Sequence, residues 1–262
     1  MPPFQELYLL YHELRPDNSP YTYALQTTEF EKQLDLFAQL QTDGSTTLRP
    51  QLTFDDGHIS NFKFALPILQ SRDLTARFFI TVGWTGRKKD FMDWSHLKEL
   101  LQCGHEIGAH GWSHTLLTHC SENQLLTELN TARLTLEDKL GVPITTLSLP
   151  GGRFNQRVLA ACRDAGYTHI YTSVPQAEPM PAGELIGRLN IRSDMSLHWI
   201  SSLFDNDSKT LSALARKYRW KAAAQSVMGD RLYQSLWAIL NRKEPDSDPE
   251  EALASEDSTH HQ

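Results

Sequence analysis

Apolar residues recur along this chain in two alternating rhythms. Short runs rich in Leu, Ile, Phe, Tyr and Thr appear at "LYLLYH" (7–12), "LRPQLTF" (48–54), "ARFFITV" (76–82), "HEIGAH" (105–110), "ITTLSL" (144–149), "THIYTS" (168–173) and "LIGRLNI" (185–191). Runs of this length and composition predict strands. Between them the apolar positions switch to helical spacing. "TTEFEKQLDLFAQL" places Phe30, Leu34 and Phe37 on one face, with Thr28 as the expected cap. "HISNFKFALPILQSR" follows the second run, and "DWSHLKELLQCG" stops at Gly104. "SENQLLTELNTARLTLEDKLG" carries the longest stripe, capped by Ser121 and ended by Gly141, and "NQRVLAACRDAGY" is a further helix. This order predicts an α/β fold: a mostly parallel sheet, or a barrel of about seven β/α units. A helical stretch over 196–241 shows no strand pattern and reads as an appendage, packed on the barrel or used for self-association.

Composition removes several function classes. The net charge of −7 is concentrated in the last stretch, "EPDSDPEEALASEDSTHHQ", which has no Lys or Arg. Without those seven acidic residues the body is formally neutral, at 25 Lys plus Arg. Nucleic acid is therefore not expected as a partner, because no basic excess faces phosphate. The acid- and Pro-rich end reads as disordered. Cys103, Cys120 and Cys162 are odd in number and far apart, which fits a reducing compartment rather than a disulfide framework. The N-terminus carries no secretory pattern and no apolar run is long enough to span a bilayer, so the expected location is cytoplasmic.

In folds of this class the site gathers at the C-terminal strand ends. Those ends hold His12, the pair Asp55 and Asp56, His110 with His114, and the turn "PGG" at 150–152. His110 and His114 stand at i, i+4, so a single turn can aim both rings at one point. Two imidazoles and one carboxylate, with Asp56 as the carboxylate, make a three-ligand set for a catalytic zinc-type ion. Adjacent residues at a strand end point in different directions. Asp56 can therefore ligate while Asp55 stays free to take a proton from water that the ion acidifies. A bound cation also relieves the repulsion between the two carboxylates. Trp84, Trp94 and Trp112 offer ring faces to a sugar, and Trp112, between the two histidines, is the preferred one; Trp94 reads as a helix start. His119 and Cys120 read as neighbours of a helix cap.

"TFDDG", the His-x-x-x-His after "EIGAH", and "LPGGRFN" resemble the motifs of the polysaccharide deacetylase superfamily (NodB homology, carbohydrate esterase family 4). "LLYHEL" and "TTEFEKQLDLF" are similar to the start of bacterial members, and the resemblance covers about 7–195. It implies a distorted barrel, here a (β/α)7-type with a C-terminal helical extension. The divisions are 1–195 for the catalytic barrel, 196–243 for the helices and 244–262 for the acidic tail. It also implies a metal-dependent N-deacetylase acting on an N-acetylated amino sugar. Asp55 would be the base, and Asp56, His110 and His114 the ligands of a divalent ion, zinc being the first expectation. The backbone N–H of Gly151 would hold the oxyanion. A role in bacterial surface-polysaccharide biosynthesis follows, on a cytoplasmic precursor. Two other readings share the residues: hydrolysis of a non-sugar amide, and a barrel that only binds glycan or a partner. Asp55 argues against the last, since pure binding needs no base.

Several positions depart from the family pattern. Gly111 stands where Ser or Thr is usual. Ser148 and Leu149 precede Pro150, where an Arg paired with the catalytic Asp is often found, and Arg153 beyond the turn is the expected substitute. The late Leu-x-His that supplies a general acid is matched only by adjacent Leu197 and His198, which read as a helix start capped by Ser196. The proton donor is therefore unassigned, with His12 as an alternative polar contributor.

Overall fold

The computed structural model describes residues 4–44, 46–205 and 209–228. Every apolar run predicted as a strand contains one, and the last, 185–191, contains two. The strands are β1 (Gln5–Tyr11), β2 (Glu13–Arg15), β3 (Ala24–Gln26), β4 (Leu48–Phe54), β5 (Arg77–Ile80), β6 (Glu106–Ala109), β7 (Thr146–Ser148), β8 (His169–Tyr171), β9 (Glu178–Pro179), β10 (Leu185–Ile186) and β11 (Arg188–Asn190). The helices are α1 (Thr27–Thr42), α2 (Leu66–Gln70), α3 (Trp94–Gln102), α4 (Glu122–Leu126), α5 (Ala132–Leu140), α6 (Gln156–Asp164), α7 (Leu197–Ser202) and α8 (Thr210–Met228). A π turn, Asn61–Ala65, precedes α2, and a second, Thr127–Thr131, joins α4 to α5.

The main sheet runs β10-β8-β7-β6-β5-β4-β1-β11, with neighbours parallel and β9 antiparallel on β1. Its two ends are consecutive in the chain. β10 pairs with β8, β11 pairs with β1, and Gly187 alone separates them. The last predicted strand therefore switches partner midway and nearly closes the barrel. At Gly187 a Cβ would lie 2.5 Å from the carbonyl oxygen of Val174, so the close approach admits only glycine. The (β/α)7-type expectation is met. β2 and β3 form a small separate sheet that the apolar pattern did not announce.

Strand alternation divides the core into two layers. Leu7, Leu9 and Tyr11 of β1, Phe54 of β4, and Phe78 and Ile80 of β5 face the helices in one continuous apolar layer. Phe54 stacks on Phe78 with ring centroids 4.9 Å apart. Tyr8, Phe79, Tyr171 and Ile186 fill the barrel interior. Gly108 makes room there, since a Cβ would lie 2.6 Å from the Phe79 ring.

Local signals set the helix ends. Ser121 accepts from the Gln124 backbone N–H while the Gln124 side chain accepts from the Ser121 N–H. Gly141 ends α5 at φ 72°. Asp93 caps α3, and Trp94 opens that helix against the core. Thr28 is not the cap of α1: that helix begins at Thr27, and its N-cap Gln26 makes no side-chain capping bond. Beyond the barrel, Phe204 is buried against Phe37 of α1, with ring centroids 5.4 Å apart. Ala215 of α8 is also buried. Residues 229–243 of the expected helical extension and the acidic tail, 244–262, lie outside the described residues.

Candidate active site

β4 ends at Phe54, and the chain then turns through two carboxylates of opposite aim. Asp55 continues the strand, its N–H donating to Tyr11 O at 3.0 Å. Its side chain points into the barrel. Asp56 takes a left-handed backbone, φ 72°, which turns its carboxylate toward the β6 end. Non-glycine residues in this region are strained and concentrate at functional sites.

His110 follows β6 directly, and its Nδ1 lies 3.0 Å from Ser148 O. A carbonyl only accepts, so Nδ1 carries the proton and Nε2 presents a lone pair. His110 Nε2 and His114 Nε2 each lie 3.3 Å from Asp56 Oδ1. All three atoms are buried, and none has a hydrogen-bond partner. Buried polar atoms are normally satisfied, so three orphans converging on one point mark a place for a cation. The spacing agrees: a tetrahedral zinc with ligand bonds of about 2.0–2.1 Å separates its donors by about 3.3 Å. The three ligand atoms lie within 4.8 Å of one another. The residues thus fit a divalent ion with at least one position left open.

The route to this geometry differs from the expected helical turn. Residues 110–116 form an irregular loop. Gly111 at φ 75° and His114 at φ 68° bend it back on itself. The His114 ring stacks on Trp84, with centroids 5.4 Å apart and planes 30° apart. Trp84 also meets Phe91 edge-on, and Lys88 Nζ lies 3.8 Å above its ring. Trp84 is buried and supports His114 rather than offering a face to a sugar. Trp112 remains half-buried beside the site, with the Arg87 guanidinium 5.8 Å from its ring.

The partner of Asp55 is Arg188 of β11. Its Nη1 donates to Oδ1 at 2.7 Å and its Nη2 to Oδ2 at 2.8 Å. Arg153 does not take this place. Ser148 Oγ also donates to Asp55 Oδ2 at 2.8 Å, while Arg188 Nη2 reaches Ser148 Oγ at 2.6 Å and its Nε reaches Thr172 O at 3.1 Å. Arg188 is fully buried. The sequence offered one signal for it: a charged residue inside an apolar strand run needs a buried partner. Burial alone would raise the Asp55 pKa, but Arg188, and then His110, bring it below its ordinary value. Burial likewise works against the charge on Asp56, and His110 and His114 hold its pKa well below the usual range. Burial would lower the His110 pKa, yet Asp55 and Asp56 raise it. The pocket thus favours positive charge at its centre.

Other sequence candidates fall outside this cluster. Gly151 lies in the "PGG" turn at φ 60°, half-buried, while the Gly152 N–H is held by Leu149 O at 2.8 Å. His12 is buried, with its ring 5.0 Å from Tyr23. His198 is exposed on the first turn of α7, behind its cap Ser196. His119 lies in a short turn, Leu117–His119, and Cys120 follows it with Sγ 3.7 Å from Leu116 O. Cys103, Cys120 and Cys162 are free thiols.

Known proteins are similar to this chain to different depths. The family model described as polysaccharide deacetylase matches residues 49–170. YxkH of Bacillus subtilis is 26% identical over 193 residues, covering 67% of this chain and 67% of its own. A peptidoglycan-N-acetylglucosamine deacetylase of Bacillus cereus is 27% identical over 123 residues, covering 47% of this chain and 55% of its own. The chain thus spans two thirds of the first relative and about half of the second. The solved Streptococcus pyogenes deacetylase PplD superposes with TM-score 0.68 at 21% identity, over 77% of this chain and 99% of that one, and shows the same fold. Residues 49–170, with "TFDDG" and both histidines among them, thus match the polysaccharide deacetylase family, and the relatives support that superfamily for this chain.

Proposed function

We propose that the protein is a divalent-metal-dependent hydrolase that removes the N-acetyl group of an amino sugar, in the making of a bacterial surface polysaccharide. The observation that carries this reading is the convergence of three orphaned donors, Asp56 Oδ1, His110 Nε2 and His114 Nε2, beside a buried carboxylate held ionised. Asp55 Oδ2 lies 3.8 Å from His110 Nε2, next to the point that the ligands share.

A divalent ion, zinc being the first candidate, would supply Lewis acidity there, polarising an amide carbonyl and acidifying water. Asp55 accepts the proton of the attacking water. Arg188 and Ser148 hold its carboxylate in one orientation, so no reorganisation is needed when the proton arrives. By the family resemblance the Gly151 N–H would be the donor for the developing oxyanion; the Gly152 N–H is already bonded within the turn. The half-buried Trp112 ring gives the apolar face of a sugar a surface to stack on. The substrate class is supported by the family's description and by the name of the Bacillus cereus relative.

The test compares wild type with Asp55→Asn for acetate release from a panel of N-acetylated amino-sugar oligomers, with metal content measured on the same samples. The expected result is loss of turnover with the metal retained. Unchanged turnover in the variant would remove Asp55 from the role of base. Metal-loaded wild type that releases acetate from small N-acetyl amides but from no sugar would favour the non-sugar amide reading.

A further inference from the structure

We infer that Glu128 is the positioning residue of the loop that carries His114: its carboxylate, lodged in a π turn, sets the loop conformation on which the ligand geometry depends. The inference rests on the metal-site reading above.

The loop from His110 to His114 is irregular. On one side the backbone anchors it: the His110 N–H donates to Ile80 O at 2.8 Å, and Gly111 O and Trp112 O accept from the Val82 and Gly83 N–H groups at 3.1 and 2.8 Å. Its Trp112 and Ser113 N–H groups instead go to one buried carboxylate. Glu128 Oε2 accepts from the Trp112 N–H at 2.7 Å and from the Ser113 N–H at 3.0 Å. Its Oε1 accepts from Ser113 Oγ at 2.6 Å. Successive N–H groups converging on one anion form a concave nest, which appears only when the backbone alternates handedness. Gly111 supplies that alternation at φ 75°. A Cβ at Gly111 would lie 2.9 Å from Glu128 Oε2, so glycine and carboxylate occupy adjoining space.

Glu128 is buried although its helix presents acidic residues elsewhere to solvent. It stands on the apolar stripe formed by Leu125, Leu129, Ala132 and Leu136, where an acid costs stability unless it is satisfied. The π turn Thr127–Thr131 contains it, and such bulges are frequent at functional sites. Glu128 touches neither the three donors nor Asp55. It acts through the loop, and with Trp84 behind the ring it leaves His114 one orientation. Groups that orient metal ligands from outside typically carry a factor of about 10–100 in metal affinity.

The experiment measures Zn2+ affinity by competition with a chromophoric chelator, and the ligand-field spectrum of the Co2+ form. Wild type is compared with Glu128→Met, Glu128→Gln and His114→Ala, and the fold of each metal-free protein is checked by near-UV circular dichroism. Met fills the same space and accepts nothing. Gln can accept both N–H groups with its carbonyl and donate its amide to the Ser113 hydroxyl, so it should rescue. The expected result is Zn2+ binding about 10- to 100-fold weaker in Glu128→Met, with an altered Co2+ spectrum, and near wild-type behaviour in Glu128→Gln. Wild-type affinity and spectrum in Glu128→Met would overturn the inference while leaving the metal site standing. Equal loss in Met and Gln would overturn the hydrogen-bonding role. Absence of Zn2+ binding in wild type would sink the metal reading and this inference together. If Glu128→Met does not fold, the Glu128→Gln spectrum decides: a changed Co2+ signature overturns the role.

Discussion

Arg188 and Asp55, 133 residues apart in sequence, form a bidentate pair inside the barrel at 2.7 and 2.8 Å. Removing one partner of a buried pair leaves an uncompensated charge, which costs about 3–5 kcal/mol. Arg188→Met is expected to lose stability of that order in urea denaturation and to lose turnover. With the guanidinium gone and burial unchanged, the Asp55 pKa rises, so the acid limb of any residual rate profile moves to higher pH. Arg188→Lys should recover only part, because one ammonium cannot bridge both carboxylate oxygens and also reach Thr172 O. Wild-type stability in Arg188→Met would show that the pair does not carry the site.

The three converging donors predict metal content. Purified wild type should hold about one divalent ion per chain, and His114→Ala should hold none, by elemental analysis. Chelation should lower the wild-type melting temperature and leave that of His114→Ala unchanged, since binding to the folded state alone stabilises it.

The two tryptophans beside the loop should separate by role. Trp84 is buried between His114 and Phe91. Trp84→Ala is expected to cost about 3–5 kcal/mol and to weaken Zn2+ binding. Trp112→Ala should leave metal content and melting temperature near wild type while raising KM for an amino-sugar oligomer. Equal effects of the two variants on metal affinity would remove the distinction.

Asp93 offers a stability prediction away from the site. Its pKa lies below the ordinary 3.8, owing first to the Ser95 hydroxyl and then to the His96 backbone N–H. A carboxylate with a depressed folded-state pKa contributes stability above its unfolded value, and the contribution is lost as pH falls through the folded pKa. Asp93→Ala should therefore cost about 1 kcal/mol at neutral pH. The difference from wild type in urea midpoint should shrink as pH falls through the folded pKa.

Much of this architecture was legible in the order of residues. Each parallel strand of the main sheet lies in a short apolar run, and the caps at Asp93, Ser121 and Gly141 act within a few residues of themselves. Asp56, His110 and His114 were readable as candidate ligands because each stands at a strand end or just beyond it, where β/α folds place their chemistry. Asp55 was separable from Asp56 because neighbouring side chains at a strand end diverge.

Tertiary structure alone decided the rest, and the reason is sequence distance. Arg188 meets Asp55 only because the chain switches partner at Gly187 and nearly closes the barrel, a long-range event with no local signature. Glu128 reads along its helix as one more acidic residue until folding brings Trp112 and Ser113 onto it. The i, i+4 spacing of the histidines suggested a helical turn, but the actual loop depends on a left-handed Gly111, the Glu128 nest and the Trp84 ring. Local order determined which residues stand as candidates for the chemistry. Packing between distant segments determined which partners hold them in place.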